Sequence, residues 1–274
     1  MIKIYDCFTF YNEFDLLELR LTELYNYVDY FVIVEANTTF TNRPKPFLFE
    51  KNQQRYTKWS DKIIHIKVNM PGATDPWTNE TFQRDAILQG VVDAADNDIV
   101  IISDVDEIPR PQAVELMRIN DSPLFALRMP LFNFKFNYMR TTPGEYDAWA
   151  LSARKGVLTD ITPNTLRNRR FNLAGFTIVE HGGWHWSFLG NNDYLRDKAQ
   201  SFSHQEINTP EFVDNIDLEK SIANRQHWGN FGPERYAIVA VDDYFPESIK
   251  QYPEYILDNP ETSAYTVLPP FSYQ

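Results

Sequence analysis

The chain has 274 residues and a formal net charge of −12, and hydrophobic residues make up 43% of it. This composition is that of a globular protein with room for one large α/β domain or two small ones, and it excludes a disordered chain. The acidic balance leaves no basic excess that could neutralise phosphates, so nonspecific nucleic-acid binding is not expected.

The cysteine content and the start of the chain indicate a compartment. Cys7 is the single cysteine and cannot form an intrachain disulfide, which fits a reducing compartment. The first residues, Met-Ile-Lys-Ile-Tyr-Asp, lead directly into a predicted strand, and no apolar run is long enough to cross a membrane. We therefore expect a cytoplasmic protein without a signal peptide or a membrane span.

The first part of the chain alternates between strand and helix patterns. Strands are predicted over Ile2–Phe10, Tyr30–Glu35 and Lys62–Val68 and from Ile99 onward; helices are predicted from Asn12, over Phe47–Trp59 and over Asn79–Ala95. Three strand–helix units that lead into a fourth strand predict a parallel, doubly wound sheet with right-handed crossovers.

The fourth strand ends in the most informative stretch, which runs from Asp98 to Pro109. Four apolar residues, Ile99 to Ile102, predict a strand that is buried on both faces, and Asp104, Asp106 and Glu107 follow it directly. Ligands bind beyond the carboxyl ends of such strands, and paired carboxylates suit a hard divalent cation. The alternative is an acidic turn that caps the following helix.

The pattern changes in the second part of the chain. An aromatic, partly alternating run from Pro123 to Met139 predicts strands. Either the face with Phe132, Phe134, Phe136 and Tyr138 or the face opposite them is expected to border the cleft; alternatively, all four aromatics are core. A short strand is predicted over Trp149–Val157 and a helix over Asn191–Phe202. No internal repeat interrupts the chain, so a single continuous domain is expected.

A second candidate site segment is His181-Gly-Gly-Trp-His-Trp-Ser187. Its two glycines permit a close backbone approach, and in an extended chain His185 faces away from Trp184 and Trp186. A histidine that faces a cleft while its neighbours pack in the core suits a metal ligand or an acid–base group. The alternative is a hydrogen-bonded structural histidine.

Cations for an anionic ligand are available on two predicted helices. Arg84 precedes the acidic strand and Lys198 follows the histidine segment, so either can point at a diphosphate or lie on a solvated helix face. The sequence contains no Gly-x-Gly-x-x-Gly, no Gly-x-x-x-x-Gly-Lys and no Gly-x-Ser-x-Gly pattern, so Rossmann, P-loop and serine-hydrolase chemistry are unsupported.

The strand followed by Ser-Asp-Val-Asp-Glu-Ile-Pro, together with the later Gly-Gly-Trp-His-Trp-Ser, resembles glycosyltransferase family 17. Residues 6–21, 29–36 and 255–260 extend the similarity over most of the chain. The resemblance implies a GT-A-like α/β fold in which residues 1–110 bind the nucleotide sugar, while residues 111–274 form an attached β/α portion that binds the acceptor and completes the metal site. It also implies a UDP-sugar donor, UDP-N-acetylglucosamine for the known animal activity, Mn²⁺ or Mg²⁺, and inversion at the anomeric carbon.

The same resemblance suggests roles for individual residues. Asp104 and Asp106 match the Asp-x-Asp motif, with Asp106 and His185 holding the metal and Asp104 orienting the ribose or completing the metal shell through water. Arg84 and Lys198 are expected beside the diphosphate, and the matching segment 6–21 places Asn12 and Glu13 near the donor. For the general base the candidates are Glu145 and Asp147, with Glu107 as a competitor.

Two other classes of function stay open from the sequence. Clustered aspartates also suit a metal-dependent phosphohydrolase acting on nucleotides, although the five histidines are scattered. A non-catalytic glycan-binding protein on the same scaffold would use the aromatic run to stack on sugars. The acceptor, the sugar transferred and the oligomeric state are not determined by the sequence.

Overall fold

The computed structural model describes residues 2–142, 148–227 and 235–267. Its β-strands, numbered along the chain, are β1 (Ile4–Phe10), β2 (Tyr30–Ala36), β3 (Ile63–Val68), β4 (Ile99–Asp104), β5 (Glu107–Pro109), β6 (Leu124–Arg128), β7 (Leu131–Asn133), β8 (Tyr138–Arg140), β9 (Ala148–Arg154), β10 (Thr177–Val179), β11 (Gly183–Ser187) and β12 (Tyr236–Ile238). Its α-helices are α1 (Phe14–Leu24), α2 (Leu48–Asn52), α3 (Pro76–Asp85), α4 (Ile87–Gly90), α5 (Pro111–Ile119), α6 (Pro163–Asn168), α7 (Asn192–Ser201), α8 (Pro210–Val213), α9 (Leu218–Ala223) and α10 (Ala264–Val267). Within the described ranges, no helix is both long and apolar enough to cross a membrane.

The larger sheet has the strand order β10-β6-β9-β4-β1-β2-β3 among the described residues. Neighbouring strands are parallel except at β9, which runs antiparallel to both β4 and β6. Apolar side chains of α1 and α5 pack in the core on one face of this sheet, and those of α4 and α6 pack on the other. The predicted α/β fold with a doubly wound, mainly parallel sheet is therefore confirmed.

Strand β4 lies in the middle of this sheet, and neither of its faces reaches solvent. Ile99 and Ile101 belong to the core on one face, Val100 and Ile102 belong to the core on the other, and all four are fully buried. Burial of such side chains stabilises the fold by about 1.5–3 kcal/mol each. The acidic residues that follow β4 are therefore anchored to a strand that is packed on both faces.

The smaller sheet has the order β12-β8-β7-β11-β5 in the part of the chain that the structure describes. Strand β4 ends at Asp104 and β5 begins at Glu107, so the chain passes from one sheet to the other within residues 104–107, which we call the acidic turn. Strand β5 pairs antiparallel with β11. A Cβ atom on Gly183 would lie 2.2 Å from the carbonyl oxygen of Ile108, which explains why this position is a glycine.

Two predicted helices differ from their sequence patterns. The segment predicted as a helix over Phe47–Trp59 is α-helical only in α2 and continues as a 3₁₀-helix over Gln53–Lys62. The helix predicted over Asn79–Ala95 is divided into α3 and α4 and begins earlier, at Pro76. Asp75 explains the earlier start, because its carboxylate accepts bonds from two backbone N–H groups of the first turn.

The aromatic run from Pro123 to Met139 forms strands, as predicted. It contains β6, β7 and the start of β8, and Phe134, in the tight connection between β7 and β8, has a left-handed φ of 66°. Phe132, Phe134, Phe136 and Tyr138 are all fully buried, so the alternative expectation, that the aromatics are core, is the one that holds. From the opposite set of residues, the buried Asn133 lines the cleft described next.

Candidate functional site

A cleft of about 750 Å³ opens where β1 and β4 end, and residues of both sheets line it. Its acidic lining residues are Glu13, Glu80, Asp104, Asp106, Glu107 and Glu206, and its lysines and arginines are Lys45, Arg84, Arg167, Arg170 and Lys198. In a chain with a net charge of −12, the cleft is thus close to balanced in charge rather than strongly acidic. An anionic ligand that enters it meets lysine and arginine side chains that can compensate its charge.

Most of the predicted site residues meet in this cleft, namely Glu13, Arg84, Asp104, Asp106, Glu107, His185 and Lys198. Asn12 instead lines a neighbouring pocket, and its side-chain amide donates to the Asp197 carboxylate over 3.3 Å. Glu145 and Asp147 fall in the range 143–147, which lies outside the described residues.

Two arginines hold the first aspartate of the acidic turn. Arg84 donates to Asp104 Oδ1 over 2.9 Å, and Arg167 donates to Asp104 Oδ2 over 3.2 Å. Burial opposes ionisation, but the two guanidinium groups outweigh it and hold the pKa of Asp104 well below its usual range. Asp104 is therefore an anion with both carboxylate oxygens engaged by protein cations.

The second aspartate lies between Lys198 and His185. Lys198 donates to Asp106 Oδ2 over 3.2 Å, and His185 Nε2 lies 3.8 Å from Asp106 Oδ1. Burial lowers the pKa of His185 to about 4, although the Asp106 carboxylate opposes this shift. The imidazole is therefore neutral near pH 7, and its nitrogen lone pair is available to a ligand.

The segment around His185 has the alternation that its sequence predicts. Trp184 and Trp186 are both buried and stack with ring centroids 5.4 Å apart, whereas the His185 ring lies in the cleft against Trp149 at 4.3 Å. The expectation that His185 faces away from its two tryptophan neighbours is therefore confirmed.

Glu107 ties the acidic turn to the second half of the chain. Its Oε2 accepts a hydrogen bond of 2.8 Å from the backbone N–H of Asp104, and its Oε1 accepts one from Arg167. Burial raises the pKa of Glu107 to about 7, and the Arg167 guanidinium only partly opposes this shift. Both carboxylate oxygens of Glu107 thus accept hydrogen bonds that hold the turn, and only 1% of the surface of this residue is exposed.

Arg20 holds the backbone of the same turn, and the sequence interpretation assigned it no role. Its guanidinium pairs with Asp6 and donates to the carbonyl oxygens of Asp104 and Glu107 over 2.9 and 3.0 Å. The sequence does carry a clue, because Arg20 lies at helical spacing from Leu16, Leu17 and Leu24 on the buried face of α1. A charge on an apolar helix face needs a buried partner.

Arg167 and Arg170 also reach the cleft without having been assigned a role. They come from a basic segment that follows β9, and Thr162 caps the helix α6 that carries Arg167. Their sequence positions alone do not indicate which side of the helix faces the cleft.

A metal ion was implied by the sequence resemblance, and its fit can be judged from the donor atoms. Among the described residues, no group of three or more His, Cys, Asp or Glu side chains is placed to hold a metal. Asp106 and His185 nonetheless offer a carboxylate oxygen and a neutral imidazole nitrogen side by side, a mixed donor set that suits Mn²⁺-class ions. Two protein ligands with the remaining positions filled by substrate phosphates and water fit such an ion.

Several known proteins are similar to this chain. Among curated proteins, a β-1,4-mannosyl-glycoprotein 4-β-N-acetylglucosaminyltransferase from Rattus norvegicus is 29% identical over 295 residues, covering 91% of this chain and 53% of the relative. The Homo sapiens protein of that name is 31% identical over 136 residues, covering 45% of this chain and 26% of the relative. The solved glycosyltransferase GlyE of Streptococcus pneumoniae TIGR4 has a TM-score of 0.33 at 15% identity, covering 80% of this chain and 53% of that one.

The chain spans about half the length of the curated relatives that it matches over most of its own length. The family model described as glycosyltransferase family 17 matches residues 1–270. This match takes in the acidic turn, the His185 segment and both sheets, and the chain belongs to glycosyltransferase family 17.

Proposed function

We propose that this chain is a metal-dependent, inverting transferase that moves N-acetylglucosamine from UDP-N-acetylglucosamine to a hydroxyl of a glycan acceptor. The observation that carries the proposal is the convergence of Asp106, His185 and Lys198 in one cleft at the end of β4. Family membership supports glycosyl transfer, and the names of the relatives support the sugar.

In the proposed donor site, one part of the cleft binds the nucleoside and another part binds the diphosphate. Thr9, Tyr11 and Thr38, from the ends of β1 and β2, form a polar and aromatic wall that suits a nucleoside. The ammonium group of Lys198 contacts Asp106, which is a proposed metal ligand. Lys198 therefore lies beside the proposed position of the diphosphate and can neutralise its charge. On this arrangement Arg84 acts indirectly, since it donates to Asp104 and thereby holds that carboxylate in place.

The proposed metal would be held by Asp106 and His185. When bound, a divalent ion supplies charge that stabilises the leaving diphosphate. Burial keeps the His185 imidazole neutral, and Lys198 adds a second positive charge on the other carboxylate oxygen. Trp149 packs against the imidazole and fixes its orientation.

Inversion requires a base on the side of the sugar opposite the diphosphate. Glu107 suits a positioning role better than this one, because both its oxygens are engaged and it is almost completely buried. Glu145 and Asp147 stay the proposed candidates. Loss of the true base should lower kcat by about 10²- to 10⁴-fold with donor binding unchanged, so Glu145→Gln and Asp147→Asn are compared in single-turnover assays.

The donor is tested by thermal stabilisation against a panel of nucleotide sugars with and without Mn²⁺. We expect UDP-N-acetylglucosamine with Mn²⁺ to stabilise the protein by about 2.7 kcal/mol at a hundredfold excess over Kd. Asp106→Asn should remove most of this effect while the fold stays intact. An unfolded variant, or a variant with full turnover, would contradict the role of Asp106.

The role of His185 is tested by titrating Mn²⁺ against His185→Ala. We expect a lower apparent metal affinity and partial recovery of activity at high Mn²⁺, whereas loss of a base would not respond to metal. His204→Ala is the control, because His204 lies on the exposed rim and pairs with Glu206. Phosphate release from nucleotides without any acceptor would favour a phosphohydrolase, and sugar binding without turnover would favour a glycan-binding protein.

A further inference from the structure

Two arginines and a tryptophan on one wall of the cleft carry buried N–H donors that have no acceptor among the described residues. Arg167 has unpaired Nε and Nη1 atoms, Arg170 has an unpaired Nε and Trp149 has an unpaired indole Nε1 within the described part of the chain. Arg167 is only 2% exposed, and all three residues line the cleft.

Buried N–H groups without an acceptor are unfavourable, and charged ones are more so. The neighbouring carboxylates do not meet the need, because Asp104 and Glu107 both engage a single nitrogen of Arg167, Nη2. Arginine forks match the paired oxygens of a carboxylate or a phosphate. The wall therefore suits an anion that the described residues do not supply.

A chain of contacts leads from the cation assigned to the diphosphate to this wall. Lys198 donates to Asp106, Asp106 lies 3.8 Å from the His185 ring nitrogen, and the His185 ring contacts Trp149 at 4.3 Å. Trp149 in turn lies 5.8 Å from the guanidinium of Arg170, so Arg170 and Lys198 are at opposite ends of this chain of contacts. A flat indole of this kind is a common stacking surface for a sugar ring, and Arg170 stands beside it.

We infer that Arg167, Arg170 and Trp149 form a subsite for an acidic acceptor, in which the sugar packs on Trp149 and its carboxylate or phosphate binds the two guanidinium groups. The inference rests on the proposed function, which places the donor diphosphate beside Asp106 and Lys198. The acceptor substrate is therefore an acidic glycan, which carries a negative charge close to the reacting hydroxyl.

The test measures binding of methyl β-D-glucuronide, glucose 6-phosphate and the neutral methyl β-D-glucoside by calorimetry, with and without saturating UDP. We expect at least one acid to bind more tightly than the neutral sugar and to keep its affinity when UDP is present. Arg170→Gln should weaken that binding roughly tenfold, the loss of a charge-assisted hydrogen bond, and should leave UDP affinity unchanged.

Arg169→Gln is the matched control. Arg169 carries the same charge one position away, but it packs over Phe176, donates to the Ala174 carbonyl oxygen and does not line the cleft. Its substitution should leave acid binding as in the wild type. Arg167→Lys serves as a second variant, because it keeps the positive charge and removes the fork.

Three results would overturn the inference: competition between UDP and the acid, equal binding of the acid and the neutral sugar, or unchanged acid binding in Arg170→Gln. Competition would mean that the arginines bind the donor diphosphate. Failure of the wild-type protein to bind UDP would count against the proposed function instead, and the titration without UDP would still decide on the subsite.

Discussion

Replacing Arg20 by methionine should destabilise the fold and weaken donor binding together. Arg20 and its partner Asp6 are both fully buried, so the substitution leaves a carboxylate without its counter-charge. Breaking a buried pair in this way costs about 3–5 kcal/mol. The carbonyl oxygens of Asp104 and Glu107 lose a donor as well, which adds about 1 kcal/mol each.

The expected total, about 5–7 kcal/mol, is comparable with the whole stability of many domains. Two further variants separate the contribution of the charge from that of the guanidinium group. Arg20→Lys keeps the charge but has no planar fork, so we expect a loss of about 1–2 kcal/mol and a folded protein with weaker UDP binding. Asp6→Asn combined with Arg20→Met removes both charges and should recover part of the loss of the single variant.

Urea unfolding followed by tryptophan fluorescence gives the free energies, and UDP titration of the folded variants gives the donor affinity. A loss of less than about 1 kcal/mol in Arg20→Met would refute the role of the buried pair, because an unpaired buried charge costs far more. UDP binding by Arg20→Lys as tight as in the wild type would refute the role of the guanidinium, since the turn would then hold its shape without it.

Three further substitutions test other parts of the structure. Gly183→Ala should cost about 3 kcal/mol in urea unfolding, because a backbone overlap at 2.2 Å from Ile108 O forces β5 and β11 apart; unchanged stability would contradict the close approach. The pKa of His227 is lowered from 6.5 to about 3, chiefly by burial, so protons favour the unfolded chain as pH falls below 6.5. Wild-type stability should therefore drop by about 2 kcal/mol between pH 7 and pH 5 from this group, and His227→Gln should show a shallower pH profile. Asp75→Ala should cost about 1 kcal/mol through loss of the α3 cap, measured by thermal unfolding, and a change within error would mean that water replaces the cap.

Local sequence patterns were sufficient for the elements that form the floor of the site. The apolar run before Asp104 could only be a strand covered on both sides, and the alternation around His185 correctly separated the cleft side from the core side. These inferences hold because each depends on residues adjacent in the chain. The parallel direction of β1 to β4 followed from the strand–helix repeat for the same reason.

Contacts between distant residues were not predictable from such patterns. Arg20 meets the acidic turn 84 residues later, and Arg167 meets Asp104 across 63 residues. Nothing in the local spacing of either arginine specifies these partners. The strands of the aromatic run were predicted, but its alternation did not separate two faces, because the left-handed backbone at Phe134 interrupts it and all four aromatic side chains are buried.

The passage of the chain between two sheets at the acidic turn has a consequence for folding. Asp104 is fixed by pairing of β4 with β1, a strand 95 residues earlier, whereas Glu107 is fixed by pairing with His185, 78 residues later. Pairings between residues so far apart in sequence form slowly, because a large loop must close before any stabilising contact offsets its entropy cost. In refolding experiments, nucleotide binding should consequently return as one of the last events, after helical circular dichroism has recovered.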